Sequence, residues 1–159
     1  MEAKYSPNVK KVISYSREEA QRLNNDQIGI EHLLLGLIRE GEGLATKVLK
    51  SLEVDLILLK EKLENTIRDN AKTKQANSIS MPLTKQAEKA LMEIVSEAKQ
   101  MQSHIIDTQH LMLAILKGEE NSGTKIINKM QVDANIFKAE LKQIIQKDPE
   151  VTDSDTESE

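Results

Sequence analysis

Apolar residues return along this chain at intervals of three and four, in eight stretches separated by short polar breaks. That spacing is the mark of amphipathic helices. Val9, Val12, Ile13, Ala20 and Leu23 trace the first, which opens on Ser6-Pro7, a hydroxyl cap followed by proline at the first helical position. Asn24-Asn25-Asp26 ends it. The second runs from Glu31 to about Glu40 with Leu33, Leu34, Leu37 and Ile38 inward, and Gly41 and Gly43 terminate it. Leu44, Ala45, Val48, Leu49 and Leu52 make a third, too short to hold without packing. Asp55 caps a fourth, carrying Leu56, Leu59, Leu63 and Ile67. Thr84 caps a fifth, with Ala87, Leu91, Ile94, Ala98 and Met101 in its stripe. The sixth spans about Thr108 to Lys117, the seventh Gly123 to Met130 and the eighth Asp133 to Gln146.

The last four helices repeat the first four. At an offset of 78 positions, the distance from Ser6 to Thr84, the halves align without a gap. Glu19-Ala20 meets Glu97-Ala98, Ile28 meets Ile106, His32-Leu33 meets His110-Leu111, and Thr46-Lys47 meets Thr124-Lys125. Val54-Asp55 meets Val132-Asp133, Lys60 meets Lys138, Leu63 meets Leu141, and Ile67 meets Ile145. The period exceeds that of ordinary solenoid repeats, so each copy is a small bundle. The expectation is an all-α fold of two tandem pseudo-twofold four-helix repeats, packed as one unit because each copy alone is near the lower limit of a stable core. The boundaries are 1–69 for the first repeat, 70–82 for a polar linker, 83–147 for the second repeat and 148–159 for a tail. Leu34, Leu37, Leu63, Leu111, Leu113 and Leu141 belong to the core. Tyr5, Leu58 and Ile105 fit their stripes poorly. They are expected to pack between the copies, the other reading being the lining of a peptide or adaptor groove.

Composition removes several function classes. The chain of 159 residues has no cysteine, which excludes disulfides, thiol catalysis and thiolate metal sites. Aromatic residues are 2%, so the core is aliphatic, which favours helices over a β-sandwich. No apolar run reaches membrane-spanning length, and Met1 to Tyr5 lacks a signal-peptide core; cytoplasmic residence is expected. The net charge is −4, of which the Ser/Thr/Asp/Glu-rich stretch from Asp148 to Glu159 contributes −6. That stretch is expected to be a disordered tail or a tether. The nearly neutral body gives no sign of nucleic-acid binding.

The run Ile28-Gly29-Ile30-Glu31-His32-Leu33-Leu34-Leu35-Gly36-Leu37-Ile38-Arg39-Glu40-Gly41-Glu42-Gly43 resembles the signature of the Clp N-terminal repeat domain, the front domain of Clp-type AAA+ protein unfoldases. The second copy keeps a weaker form, Ile106-Asp107-Thr108-Gln109-His110-Leu111-Met112-Leu113-Ala114-Ile115-Leu116. The likeness covers about residues 5 to 146, and the first copy is most similar to the ClpC branch. It implies two four-helix repeats that receive adaptor proteins and unfolded or marked substrates for an ATPase ring and a partner Clp peptidase. No phosphate loop of the Gly-x-x-x-x-Gly-Lys-Ser/Thr type occurs, so the chain is expected to be no enzyme and to need no cofactor. Two forms remain open, the recognition domain of a longer unfoldase or a stand-alone accessory that docks on the Clp machine. The tether-like tail favours the first.

The resemblance also implies site residues. Glu31 matches the acid that grips the guanidinium of phosphorylated arginine in ClpC-type domains, and Ser6 matches the residue near its phosphate. A helix start offers free N–H groups and a favourable dipole to an anion. The second copy has Thr84 and, in place of the acid, Gln109, which cannot neutralise a guanidinium. The expectation is a pair of unequal sites, Ser6 with Glu31 and Thr84 with Gln109, the first stronger. The plainer reading of Glu31 is an acid near the positive end of a helix dipole. His32 and His110 lack ligand-spaced partners and read as structural. Glu18-Glu19, Glu40-Gly41-Glu42 and Glu119-Glu120 read as solvated surface, with no acid–base role.

Overall fold

The computed structural model describes residues 4–70 and 81–147. The expected linker lies outside the described residues except at Asn70, Met81 and Pro82, and the acidic tail lies wholly outside them. The described residues form β1 (Lys4–Tyr5), α1 (Pro7–Arg22), α2 (Ile30–Glu40), α3 (Leu44–Ser51), α4 (Leu56–Asn70), α5 (Lys85–Gln100), β2 (Ile105–Ile106), α6 (Thr108–Lys117), α7 (Ser122–Lys129) and α8 (Ala134–Lys147).

The caps follow from the side chains that supply them. Ser6 Oγ accepts from Val9 N at 3.0 Å, and Thr84 Oγ1 accepts from Ala87 N at 3.1 Å. Asp55 accepts from the amides of Ile57 and Leu58 at the head of α4. Gly41 ends α2 in the left-handed region, φ 70°, its N–H returning to Leu37 O. Gly43 does not help terminate α2; it is the N-cap of α3, and the side-chain cap it lacks comes from the other copy, where Thr108 Oγ1 accepts from Ala45 N at 3.1 Å. The duplication reaches the backbone. Four non-glycine residues among those described have positive φ, and they pair at the repeat interval: Asn24 (59°) with Gln102 (57°), and Glu53 (65°) with Gln131 (69°).

α2 and α6 are buried around most of their circumference, from Ile30 to Leu37 and from Thr108 to Ile115, while the other helices lend one stripe each. One apolar core spans both copies and includes all six leucines assigned to it above. Ile13, placed inward by its spacing, is exposed, because it lies off the face of α1 that buries Val9, Val12, Ser16 and Ala20. Tyr5 and Leu58 also face outward, and Ile105 is half-buried. Of the three expected to pack between the copies, only Ile105 is even partly buried.

Two short pairings lace the copies together. β1 runs parallel to β2, with Lys4 opposite Ile105 and Tyr5 opposite Ile106. The equivalent contact in the other direction is a bridge between Ile28 and Leu83. The residues that lead into each copy's first helix therefore pair with the loop between the other copy's first two helices.

Candidate functional site

The lacing decides which helix starts meet. α1 has 16 residues, about 24 Å at 1.5 Å per residue, and α2 runs back along it. Ser6 and Glu31 therefore lie at opposite ends of one hairpin. The structure does not bring together the expected pairs, Ser6 with Glu31 and Thr84 with Gln109; the tips are assembled crosswise.

At one tip the start of α5 meets the start of α2. Thr84 N donates to Ile28 O and Ile28 N to Pro82 O, each at 2.9 Å. Gly29 caps α2 with no side chain. A Cβ there would lie 2.9 Å from Glu31 Oε1 and 3.6 Å from Thr84 Cγ2, so glycine lets the carboxylate lean over the cap toward α5. Glu31 is half-buried, and its Oε2 accepts from the Ser122 hydroxyl at the head of α7. The first N–H groups of α5 have no partner within the helix. An open groove of ≈ 860 Å³ starts here, with Ile30, Thr84, Lys85 and Gln86 at this end, and runs between α5 and α6.

At the other tip the start of α1 meets the start of α6, and the space is filled. Asp107, at the register of Gly29, accepts from Ser6 Oγ and from Thr108 N, both at 2.8 Å. Ser6, Asp107 and Gln109 are each at least 95% buried. Gln109 Oε1 is a buried acceptor with no partner among the described residues. An acid is thus present at both tips, and in the second copy it stands two positions earlier and is consumed internally. Asp107 was missed in the sequence, although its place opposite Gly29 was visible in the alignment of the copies.

His32 and His110 each hold a helix start. His32 Nδ1 accepts from Gly29 N and His110 Nδ1 from Asp107 N, each at 2.9 Å, so each ring ties down the residue that opens its own helix. With Nδ1 accepting, His32 Nε2 donates to Asn25 Oδ1 at 2.8 Å. Burial lowers both pKa values, that of His110 to about 4, against the opposing charges of Asp107 and Glu97; the charges of Glu31 and Glu19 oppose it at His32. Among the described residues no three His, Asp or Glu side chains gather to hold a metal ion, and no helix is long and apolar enough to cross a membrane.

Glu19 corrects another expectation. The Glu18-Glu19 pair is not wholly solvated surface, because Glu19 is 6% exposed and bonded by Arg22 at 2.7 Å and Arg39 at 3.2 Å. Burial works against its ionised form, and the bonds and charges of Arg22, then Arg39, outweigh it and hold the pKa below the ordinary carboxylate value.

Comparison with known proteins agrees with this architecture. The family model of the Clp repeat (R) N-terminal domain matches residues 4–126 and again 82–159. The chaperone protein ClpB of Oceanobacillus iheyensis is 31% identical over 145 residues, covering 91% of this chain and 17% of that protein. The negative regulator of genetic competence ClpC/MecB of Bacillus subtilis is 29% identical over 145 residues, with the same coverage. The chain thus spans about one sixth of the length of these relatives. The crystal structure of the Hsp104 N-terminal domain from Candida albicans matches with a TM-score of 0.73 at 16% identity, covering 87% of this chain and 89% of that one, a likeness of fold.

Proposed function

The chain belongs to the Clp repeat N-terminal domain family, and on that premise we propose that it is the substrate- and adaptor-recognition domain of a ClpC-like ATP-dependent protein unfoldase that feeds a Clp peptidase. It acts in the cytoplasm on polypeptides, not on nucleic acid or membranes. The chain supplies grip; nucleotide hydrolysis and peptide-bond cleavage fall to the ATPase ring and the peptidase. The relatives with which it aligns are a chaperone and a ClpC protein, which supports this reading.

The finer proposal concerns phosphorylated arginine. The observation that carries it is the crosswise tip, where Glu31 leans over Gly29 beside the open start of α5. Glu31 takes the guanidinium, and Thr84 with the free N–H groups of α5 takes the phosphate. The tip at Ser6 and Gln109 is the weaker, since Asp107 already occupies the Ser6 hydroxyl and would repel a phosphate. Nuclear magnetic resonance titration with free phospho-arginine tests this. Shifts are expected at Gly29, Glu31, Thr84 and Lys85, and Glu31→Gln should weaken binding by about 10-fold or more, the worth of a charge-assisted hydrogen bond. Tighter binding at Ser6 and Gln109, or affinity indifferent to Glu31→Gln, overturns it.

A further inference from the structure

The two copies differ most usefully around one buried carboxylate. In the first copy both oxygens of Glu19 are bonded by guanidinium groups, Oε1 by Arg22 and Oε2 by Arg39. The Arg39 guanidinium also stands 4.2 Å over the Tyr15 ring, so this face is covered by the chain's own side chains. At the repeat interval the four positions become Glu97, Gln100, Lys117 and Glu93. The carboxylate is kept and is as buried, at 5% exposure. It has one cation, Lys117 Nζ at 2.8 Å from Oε1, and its Oε2 accepts no hydrogen bond among the described residues. The ring has gone, and an exposed acid, Glu93, stands in its place.

The space that the first copy fills is the groove of ≈ 860 Å³ between α5 and α6. Its width has a cause in the sequence. Gly36 lets α2 press onto α1, a Cβ there falling 2.6 Å from Val12 O, whereas the second copy has Ala114, and α5 and α6 touch along less of their length. Ala90, Ala114 and Ile115 form an apolar floor, and beyond the Glu97–Lys117 pair Glu93 and Glu119 supply negative charge.

We propose that this groove binds a peptide segment through one unmodified arginine side chain, whose guanidinium bonds the second oxygen of Glu97 beside Lys117. The first copy is the template, since it shows the same carboxylate satisfied by two guanidinium groups. Glu93, one turn before Glu97, offers the planar fork a second acceptor. The aliphatic stem of the arginine lies on the apolar floor. A phosphorylated arginine is rejected, because its phosphate would meet Glu93 and Glu119. Lys85 and Lys89, toward the Thr84 end, orient the segment with its basic residue away from that tip. The proposal rests on the reading of the chain as a polypeptide receptor and is independent of phospho-arginine recognition.

The test uses a short end-capped peptide of serine, alanine and leucine with one central arginine, labelled with fluorescein, against the same peptide with citrulline or phospho-arginine at that place. Anisotropy should show binding of the arginine peptide and at least about a tenfold loss for both replacements. Amide shifts should gather at Ala90, Glu93, Glu97 and Ala114. Gln100→Arg gives the second copy its own guanidinium and should abolish peptide binding with the melting temperature held or raised, which separates occupancy of the site from damage to the fold. Equal affinity for the citrulline peptide, or unchanged binding by Gln100→Arg, overturns the proposal. Shifts confined to Glu31 and Thr84 overturn it too while leaving the receptor reading standing. If neither these peptides nor reduced, carboxymethylated α-lactalbumin shift any resonance, the receptor reading itself falls.

Discussion

Gly36→Ala measures how closely α1 and α2 lie. A methyl at position 36 would sit 2.4 Å from Ser16 Oγ and 2.6 Å from the Val12 carbonyl oxygen. Non-bonded heavy atoms meet comfortably at about 3.5 Å. The Ser16 hydroxyl is not free to swing aside, because it is wholly buried and donates to that same carbonyl at 2.7 Å. The carbonyl belongs to the middle of α1 and moves only with the helix. α1 must therefore retreat by roughly an ångström, loosening Val9, Val12 and Ala20, none of which is exposed at all. Overpacking of this kind costs about 1–3 kcal/mol, and the better helix propensity of alanine returns up to about 1 kcal/mol. With that return the expected net loss is up to about 2 kcal/mol, or up to about 8 °C in melting temperature for a chain of this size. Urea unfolding followed by far-ultraviolet circular dichroism reads it directly. Ala114→Gly is the counterpart in the second copy, and should cost about 1 kcal/mol through propensity and about 1 kcal/mol more through the lost buried methyl. A Gly36→Ala protein more stable than its parent would refute the close approach.

Three further outcomes follow from the same geometry. Leu63→Ala removes a side chain with no exposure and should cost about 2–5 kcal/mol in a thermal melt. Ser6→Ala and Thr84→Ala each remove a helix cap worth about 1 kcal/mol, but Ser6→Ala also strips a partner from the buried Asp107 carboxylate, so urea titration should show it as the more damaging of the two. His110 has a folded pKa of about 4, below its ordinary value of 6.5, so the unfolded chain takes up the proton first. Its contribution is fully present above pH 6.5 and is lost as pH falls toward 4, by roughly 3 kcal/mol in all. In His110→Gln the slope of stability against pH across that window should shrink by about one proton, and an unchanged slope would mean the ring titrates normally.

Much of this fold could be read from the chain because its punctuation is local. Ser6, Thr84 and Asp55 sit beside the amides they cap, and a serine or aspartate ahead of an apolar stripe announces that bond without tertiary information. The resemblance marked Glu31 for the same reason, since the motif is contiguous. What the chain hid was relational. Two-residue strands have no periodicity, so neither β1 with β2 nor Ile28 with Leu83 left a signal. A repeat states which residues are equivalent, not which copy's helix start faces which, and that is why Ser6 was given to Glu31 instead of to Asp107. Glu19 looked like half of a surface acid pair because the arginine that reaches its second oxygen, Arg39, is 20 residues away on another helix. Ile13 matched the apolar spacing, yet α1 had no neighbour on that side to bury it.

The reciprocal lacing of the two halves has one more consequence. Each half completes the other's edge in the same way, which is the bonding that a symmetric homodimer of half-length polypeptides would make across its axis. Severed between Asn70 and Met81, the protein should thus behave as two complementing fragments that recover one cooperative unfolding transition on mixing. Neither fragment holds a whole tip, since each tip takes one wall from either half.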